Sequence, residues 1–252
     1  MRWLLALAAL ILPALGHSSC PASDQSHLAI IIDDIGYHRD RGMAFAELPV
    51  PLTLSVIPAT PHGREIAAAA LARGKEIMVH MPMASHHRPV TGSLTLVKDL
   101  EDGEFERVLN EAITQVPGAT GMNNHMGSAL TENSTAMNKL MVYLARQQFF
   151  FIDSRTTSAT VAAQIAQAHN IPFASRAVFL DNTREASEIA NKLTEAVEIA
   201  RAQGQVIAIG HAFPETLTLL TQALAHLPTD VLLTPASTIA RCRATQSLTS
   251  IP

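Results

Sequence analysis

Cysteine is all but missing from this chain, with two residues in 252, Cys20 and Cys242, one near each end. That excludes a scaffold stapled by several disulfides. Charge is sparse as well: only 16% of residues are Asp, Glu, Lys or Arg, and the formal net charge is -4. No basic surface exists to hold a phosphate backbone, so nucleic acid is excluded as a partner. Aromatic residues make up 4%, with one Trp (Trp3) and two Tyr. An extended cleft in which rings stack along a long ligand therefore has few platforms. Linkers rich in Gly, Ser or Pro, low-complexity tracts and internal repeats are also lacking. A single domain follows, and the length is enough to bury a sizeable core.

The first feature present is the opening "MRWLLALAALILPALGHSSC". A basic residue at Arg2, an apolar run over residues 3–15 and small residues at Ala14 and Gly16 form the pattern of a secretory signal. The run is too short to span a bilayer comfortably, so no stable membrane span is expected once the signal is cleaved. The expected organisation is a signal over 1–16, a lead segment over 17–27, a domain over 28–240 and a tail over 241–252. The expected location is the periplasm or the exterior, where Cys20 and Cys242 are expected to pair.

From residue 28 onward the chain alternates. The runs "HLAIII", "LTLSVI", "EIMVH", "FFFID", "AVFLD", "QVIAIGH" and "DVLLTP" are short, apolar and rich in β-branched residues, and predict buried strands. Between them lie segments with apolar residues at three-and-four spacing, such as "PHGREIAAAALARG", which has Pro61 near its start and Gly74 just past its end. Strand and helix in repeated alternation imply parallel strands joined by crossover helices. The fold class is α/β, as a barrel or a doubly wound sheet.

In such folds reactive groups gather at the carboxyl ends of the strands. Those positions hold Asp33 and Asp34 after the first run, His80 after the third, Asp153 and Arg155 after "FFFI", Asp181 after "AVFL" and His211 after "VIAIG". The segment "GMNNHMGS" adds Asn123, Asn124 and His125 at a further strand-to-helix junction. Taken singly, an Asp or Asn here is a turn former or a helix cap as readily as a functional group. Two adjacent carboxylates at the edge of a core are harder to place. They repel one another and cost desolvation, so a cation or a shared proton is the economical reason to keep both.

The segments "IIDDIGY", "LSVIPATPHGREIAAAA", "GKEIMVHMPM", "GMNNHMGS", "FFIDSRT", "RAVFLDN" and "IAIGHAFPETL", in that order over residues 28–240, resemble the divergent polysaccharide deacetylase family. The resemblance implies a distorted (β/α) barrel of about seven strands and removal of N-acetyl groups from a carbohydrate. It also implies Asp33 as general base, Asp34 and His80 as metal ligands and His211 as general acid. Relatives carry a second histidine four residues after the first, where this chain has Ala84. His125 is the candidate to complete the set, with His86 or His87 of the following loop as the substitute.

Amide hydrolysis makes independent demands that these residues meet. One carboxylate and two imidazoles suit a divalent cation, zinc above all, with positions left open for water and the acetyl oxygen. Asp33, beside a ligand yet free of the ion, can take a proton, and His211 on the opposite wall can return one. Arg155 or Arg176 is expected to pair with Asp33, Asp181 to orient His211, and Asn123 and Asn124 to orient a ligand or touch sugar hydroxyls. Tyr37 is the one aromatic expected beside the site. A non-catalytic envelope protein that keeps the metal and binds a glycan or a protein partner is the alternative reading.

Overall fold

The strand runs place apolar side chains on both faces, so they need cover on both sides. In the computed structural model, which describes residues 25–88, 92 and 94–249, that cover is an outer layer of helices and a filled interior. Nine parallel strands are present among the described residues: β1 (Ser26–Ile35), β2 (Thr53–Val56), β3 (Glu76–Met83), β4 (Gly121–Met126), β5 (Phe150–Asp153), β6 (Phe173–Ser175), β7 (Val178–Phe179), β8 (Gln205–His211) and β9 (Val231–Leu233). They run in the order β6-β5-β4-β3-β2-β1-β8-β7, and β9 adds to the start of β1. This curled sheet with helices around it is the expected α/β barrel, with nine strands in place of about seven. The two additions, β4 and β6, escaped the apolar pattern because β4 carries Asn123, Asn124 and His125 and β6 spans three residues.

The helices are α1 (Arg39–Glu47), α2 (Gly63–Ala72), α3 (Asp102–Gln115), α4 (Ser128–Thr131), α5 (Ser134–Gln147), α6 (Ala162–Ala168), α7 (Ala186–Gln203), α8 (Pro214–Ala223) and α9 (Ala236–Thr249). Helix α2 ends as its sequence predicts, with Gly74 in the left-handed region at φ +74°. Residue 240, expected to close the domain, lies within α9. The signal and Cys20 lie outside the described residues, and Cys242 is buried on α9. Among the described residues no helix is long and apolar enough to cross a membrane.

Strand alternation divides the core in two. Leu28, Ile30 and Ile32 of β1 join Leu54, Val79, Phe151 and Val206 in the outer layer beneath the helices. Ala29 and Ile31 face inward with Met78, Phe150, Ile152, Ala174, Ile207 and Ile209, packed with Ala236, Ile239 and Ala240 of α9. Helix α9 is held there by capping from distant strands. Ala236 N–H donates to Thr53 Oγ1 (3.0 Å) and Ser237 N–H donates to Glu76 Oε1 (3.1 Å). The amino ends of the strands are thus sealed, and the interior is open for chemistry at their carboxyl ends.

Candidate functional site

The same alternation that turns Ala29 and Ile31 inward carries Asp33 to the interior at the end of β1. Asp34, the next residue, would face outward in a regular strand. It does not, because β1 holds one residue more than β2 at this point: Ile32 pairs with Leu54 and Ile35 with Val56, leaving Asp33 and Asp34 opposite Ser55 alone. Asp34 takes φ +59°, the left-handed conformation that Asp tolerates better than most residues, and the bulge re-aims its carboxylate.

On β3 the inward positions are Met78 and His80, and on β4 they are Asn123 and His125. His80 is paired in register with Asn123. Three ligand atoms from three strands converge: Asp34 Oδ1 lies 3.3 Å from His80 Nε2 and 3.0 Å from His125 Nδ1, and the two ring nitrogens are 3.1 Å apart. These are about the edges of a tetrahedron whose ligands stand roughly 2.0–2.1 Å from a central ion. Asp34 Oδ1 is buried and has no properly directed hydrogen-bond partner of its own, as expected of an atom shaped to meet a cation. The residues fit a divalent ion. Burial works to raise the Asp34 pKa, but the His125 and His80 imidazoles outweigh it and hold the carboxyl well below the usual range. Burial works to lower His80, and the Asp33 and Asp34 carboxylates overcome it, pushing His80 up to about 9.

Asp33 belongs to a different network. It is 3% exposed, and its Oδ1 accepts from Asn123 Nδ2 at 2.8 Å. Burial raises its pKa, against the downward pull of His80 and His211. Asn123 is fully buried and spends its whole amide here. Its Oδ1 accepts from Ser55 Oγ (2.6 Å) and faces His80 Nδ1 (2.7 Å), while its Nδ2 also donates to Ser154 Oγ (3.2 Å).

His211 pairs in register with Asp33 on the adjacent strand. The two stand side by side, which corrects the expectation of opposite walls. Asp181, buried, accepts from the His211 backbone N–H (2.6 Å) and from Thr216 Oγ1 (2.6 Å) through Oδ2, and its Oδ1 faces His211 Nδ1 at 2.8 Å. Burial lowers the His211 pKa, yet the Asp181 carboxylate prevails and the net shift is upward. Phe179 meets the imidazole edge-on (5.1 Å between centroids) and Phe213 stacks on it (5.3 Å), with Arg184 over the other ring at 3.7 Å from the Phe213 centroid.

A cavity of about 340 Å³ joins these parts, lined among others by Asp33, His80, His125, Phe179, Ile209 and His211. Several expected residues stand elsewhere or act differently. Arg176 lines the cavity, but its Nε and Nη2 donate to the carbonyls of Ser154 and Arg155. Arg155 is exposed, and neither arginine forms an ion pair with Asp33 among the described residues. The hydrogen-bond partner of Asp33 is an amide, and its charged neighbour is His80, whose Nδ1 lies 3.6 Å from Asp33 Oδ1. Asp153 is buried away from the cavity lining, its Oδ1 taken by the Arg155 N–H. Asn124 lines the cavity, but its amide is occupied, donating to Met126 O and Thr156 Oγ1 and accepting from Ser154 N–H. His86 pairs with Glu132 at 2.9 Å and His87 is exposed, so neither substitutes for His125. Tyr37 is 57% exposed and does not line the cavity, whereas Phe179 does. Ser55, Ser154, Thr216, Phe179 and Phe213 were not foreseen. The signal for Ser55 was legible, since it and Thr53 are the two polar residues within the apolar run "LTLSVI" and it is the one nearer the carboxyl end.

The match to known proteins covers most of the chain. Residues 30–240 fit the model of the family described as divergent polysaccharide deacetylase. A protein of Escherichia coli K12, uncharacterized protein YibQ, is 37% identical over 212 residues, 84% of this chain and 66% of its own length, so the chain spans just under two thirds of that relative. Among solved structures, uncharacterized protein ATU2773 of Agrobacterium tumefaciens C58 superposes with a TM-score of 0.81 at 21% identity, over 87% of this chain and 92% of that one. The catalytic domain of a peptidoglycan N-acetylglucosamine deacetylase from Eubacterium rectale shares the fold at a TM-score of 0.52 and 11% identity, over 89% and 95%. With the family's segments spread over all but the ends of the sequence and its ligand-type residues gathered at one mouth of the barrel, this chain belongs to the divergent polysaccharide deacetylase family.

Proposed function

We propose that the protein is an exported hydrolase, dependent on a divalent metal with zinc the best match, that removes N-acetyl groups from a glycan of the cell envelope. One observation carries the reading. A buried carboxylate outside the ligand triangle, Asp33, and an Asp-oriented imidazole, His211, share one cavity with His80 and His125, two of the three ligand-type side chains that converge there. A site that only bound a metal would need neither. Asp34, His80 and His125 would hold the cation, which when bound would lower the pKa of water and polarise the acetyl carbonyl.

The chain supplies the proton traffic. Asp33, acceptor-only when ionised and made more basic by burial, takes the proton of the attacking water. His211 keeps Nδ1 toward Asp181 and is thereby free to give its Nε2 proton to the nitrogen as the C–N bond breaks, so that acetate and a free amine leave. Ile209, Phe179 and Met126 offer the acetyl methyl an apolar lining. The name of the Eubacterium rectale neighbour supports an N-acetylated sugar as the substrate class.

The test is acetate release from N-acetylglucosamine oligomers and peptidoglycan fragments at saturating zinc. Wild type is expected to release acetate, and Asp33→Asn to fall by about 100-fold or more, the usual contribution of a general base. If wild type holds its metal and releases no acetate from any N-acetylated glycan, the protein is a binding protein of the envelope and this assignment is wrong.

A further inference from the structure

Asn123 sits between the two functions of the site, and its four contacts obey a strict donor and acceptor logic. An ionised carboxylate only accepts, so the side of the Asn123 amide that faces Asp33 Oδ1 at 2.8 Å must be Nδ2. Ser154 Oγ lies on that same side, at 3.2 Å. The opposite side is then Oδ1, which accepts from Ser55 Oγ at 2.6 Å and faces His80 Nδ1 at 2.7 Å. A carbonyl oxygen only accepts, so Nδ1 of His80 must carry a hydrogen. In the neutral imidazole, the form that can bind a metal, the lone pair is thereby assigned to Nε2, the atom that points at Asp34 Oδ1 and His125 Nδ1. Turned over, the same amide would set its oxygen against the Asp33 carboxylate. It would also ask Nδ1 for a lone pair and leave the His80 proton on the face where the other two ligand atoms converge.

We infer that Asn123 is a positioning residue that couples the base to the metal site: the Asp33 carboxylate orients the Asn123 amide, and the amide presents His80 Nε2 as a ligand. This rests on the reading that Asp34, His80 and His125 hold a divalent ion. It makes Asp33 a contributor to metal affinity without being a ligand, over a relay of two hydrogen bonds within a buried, fully satisfied network. Partners that orient a ligating histidine through its second nitrogen are worth about 10- to 100-fold in metal affinity.

The test is zinc affinity, measured by competition with a chromophoric chelator on purified full-length protein. It is joined by the visible spectrum of the cobalt-loaded form, which reports the ligand set directly. Asn123→Leu keeps the volume and removes the acceptor, and is expected to bind zinc about 10- to 100-fold more weakly than wild type. The exchanged pair Asp33→Asn with Asn123→Asp restores the logic in reverse. The new amide at 33 donates to the new carboxylate at 123, which still accepts from His80 Nδ1 and Ser55. This double variant is expected to bind zinc close to the wild-type affinity, with the wild-type cobalt spectrum, although its base is gone and it releases no acetate. Zinc binding by Asn123→Leu as tight as wild type overturns the proposal. So does an exchanged pair that binds zinc about 10-fold or more weakly than wild type, a comparison that still decides the matter if Asn123→Leu fails to fold. Because every readout here is metal binding, an inactive wild type that binds zinc counts against the deacetylase assignment and leaves this coupling standing.

Discussion

At the scale of single residues, the site is a set of inward-facing positions on neighbouring strands, with one exception made by the bulge. His125 completes a group of ligand-type side chains with Asp34 and His80, from the next strand and not from the loop after β3, and the proposal makes it the third metal ligand. His125→Ala is therefore expected to lose most of the bound zinc while His86→Ala, whose imidazole is occupied by Glu132, keeps full stoichiometry. Metal analysis after dialysis decides between them. His211 carries a prediction about pH. In the proposed role the protonated form is the donor, and Asp181 raises its pKa against the lowering effect of burial, so the fall in kcat/KM on the alkaline side is expected above the ordinary histidine value. Asp181→Asn keeps an acceptor for Nδ1 and removes the anion. The alkaline limb should move to lower pH, so the variant loses proportionally more activity at pH 8 than at pH 6. An unmoved limb would mean that His211 is not the group being read.

At the scale of elements, the barrel depends on α9 more than the α9 sequence suggests. Its residues packed into the barrel interior, Ala236, Ile239 and Ala240, form a short stripe, and the helix is placed by caps that β2 and β3 provide. Thr53 is fully buried, donates to Glu76 Oε1 and accepts from Ala236 N–H. Thr53→Val preserves shape and leaves that N–H unpaired, a loss of about 1–3 kcal/mol. In a domain of this size that lowers Tm by roughly 2–4 °C per kcal/mol, measurable by calorimetry. The elements that apolar pattern missed share a cause. Helix α1 is rich in charge, β4 spends its inward positions on Asn123 and His125, and β6 is three residues long. A segment that builds a site or rims a sheet does not advertise itself by hydrophobicity.

At the scale of the whole molecule, Asp34, His80 and His125 arrive from β1, β3 and β4, so a bound ion ties together three strands whose mouth is otherwise lined by repelling or polar groups. An ion that binds only the folded chain adds stability by mass action, about 2.7 kcal/mol at a free concentration 100 times Kd. Zinc should raise Tm by several degrees, a chelator should reverse the rise, and His125→Ala should show little of it. Differential scanning fluorimetry checks all three, and an equal rise in His125→Ala would place the stabilising ion elsewhere.

The sequence by itself determined the alternation of strand and helix, the gathering of acids, amides and histidines at strand ends, and the segments that mark the family. Those follow from local rules: the period of a strand, the capping of a helix and the place where a chain leaves a sheet. Only the tertiary structure decided that Asp33 faces the cavity while Asp34, the next residue, still turns to His80 and His125, because that needs an extra residue in β1 relative to β2. It alone decided that the partner of Asp33 is Asn123, 90 residues away, and not an arginine. It also set His211 beside Asp33 and not across from it. Strand order and register fix which inward positions touch, and neither is encoded in any one stretch of chain. They emerge when all the strands pack at once.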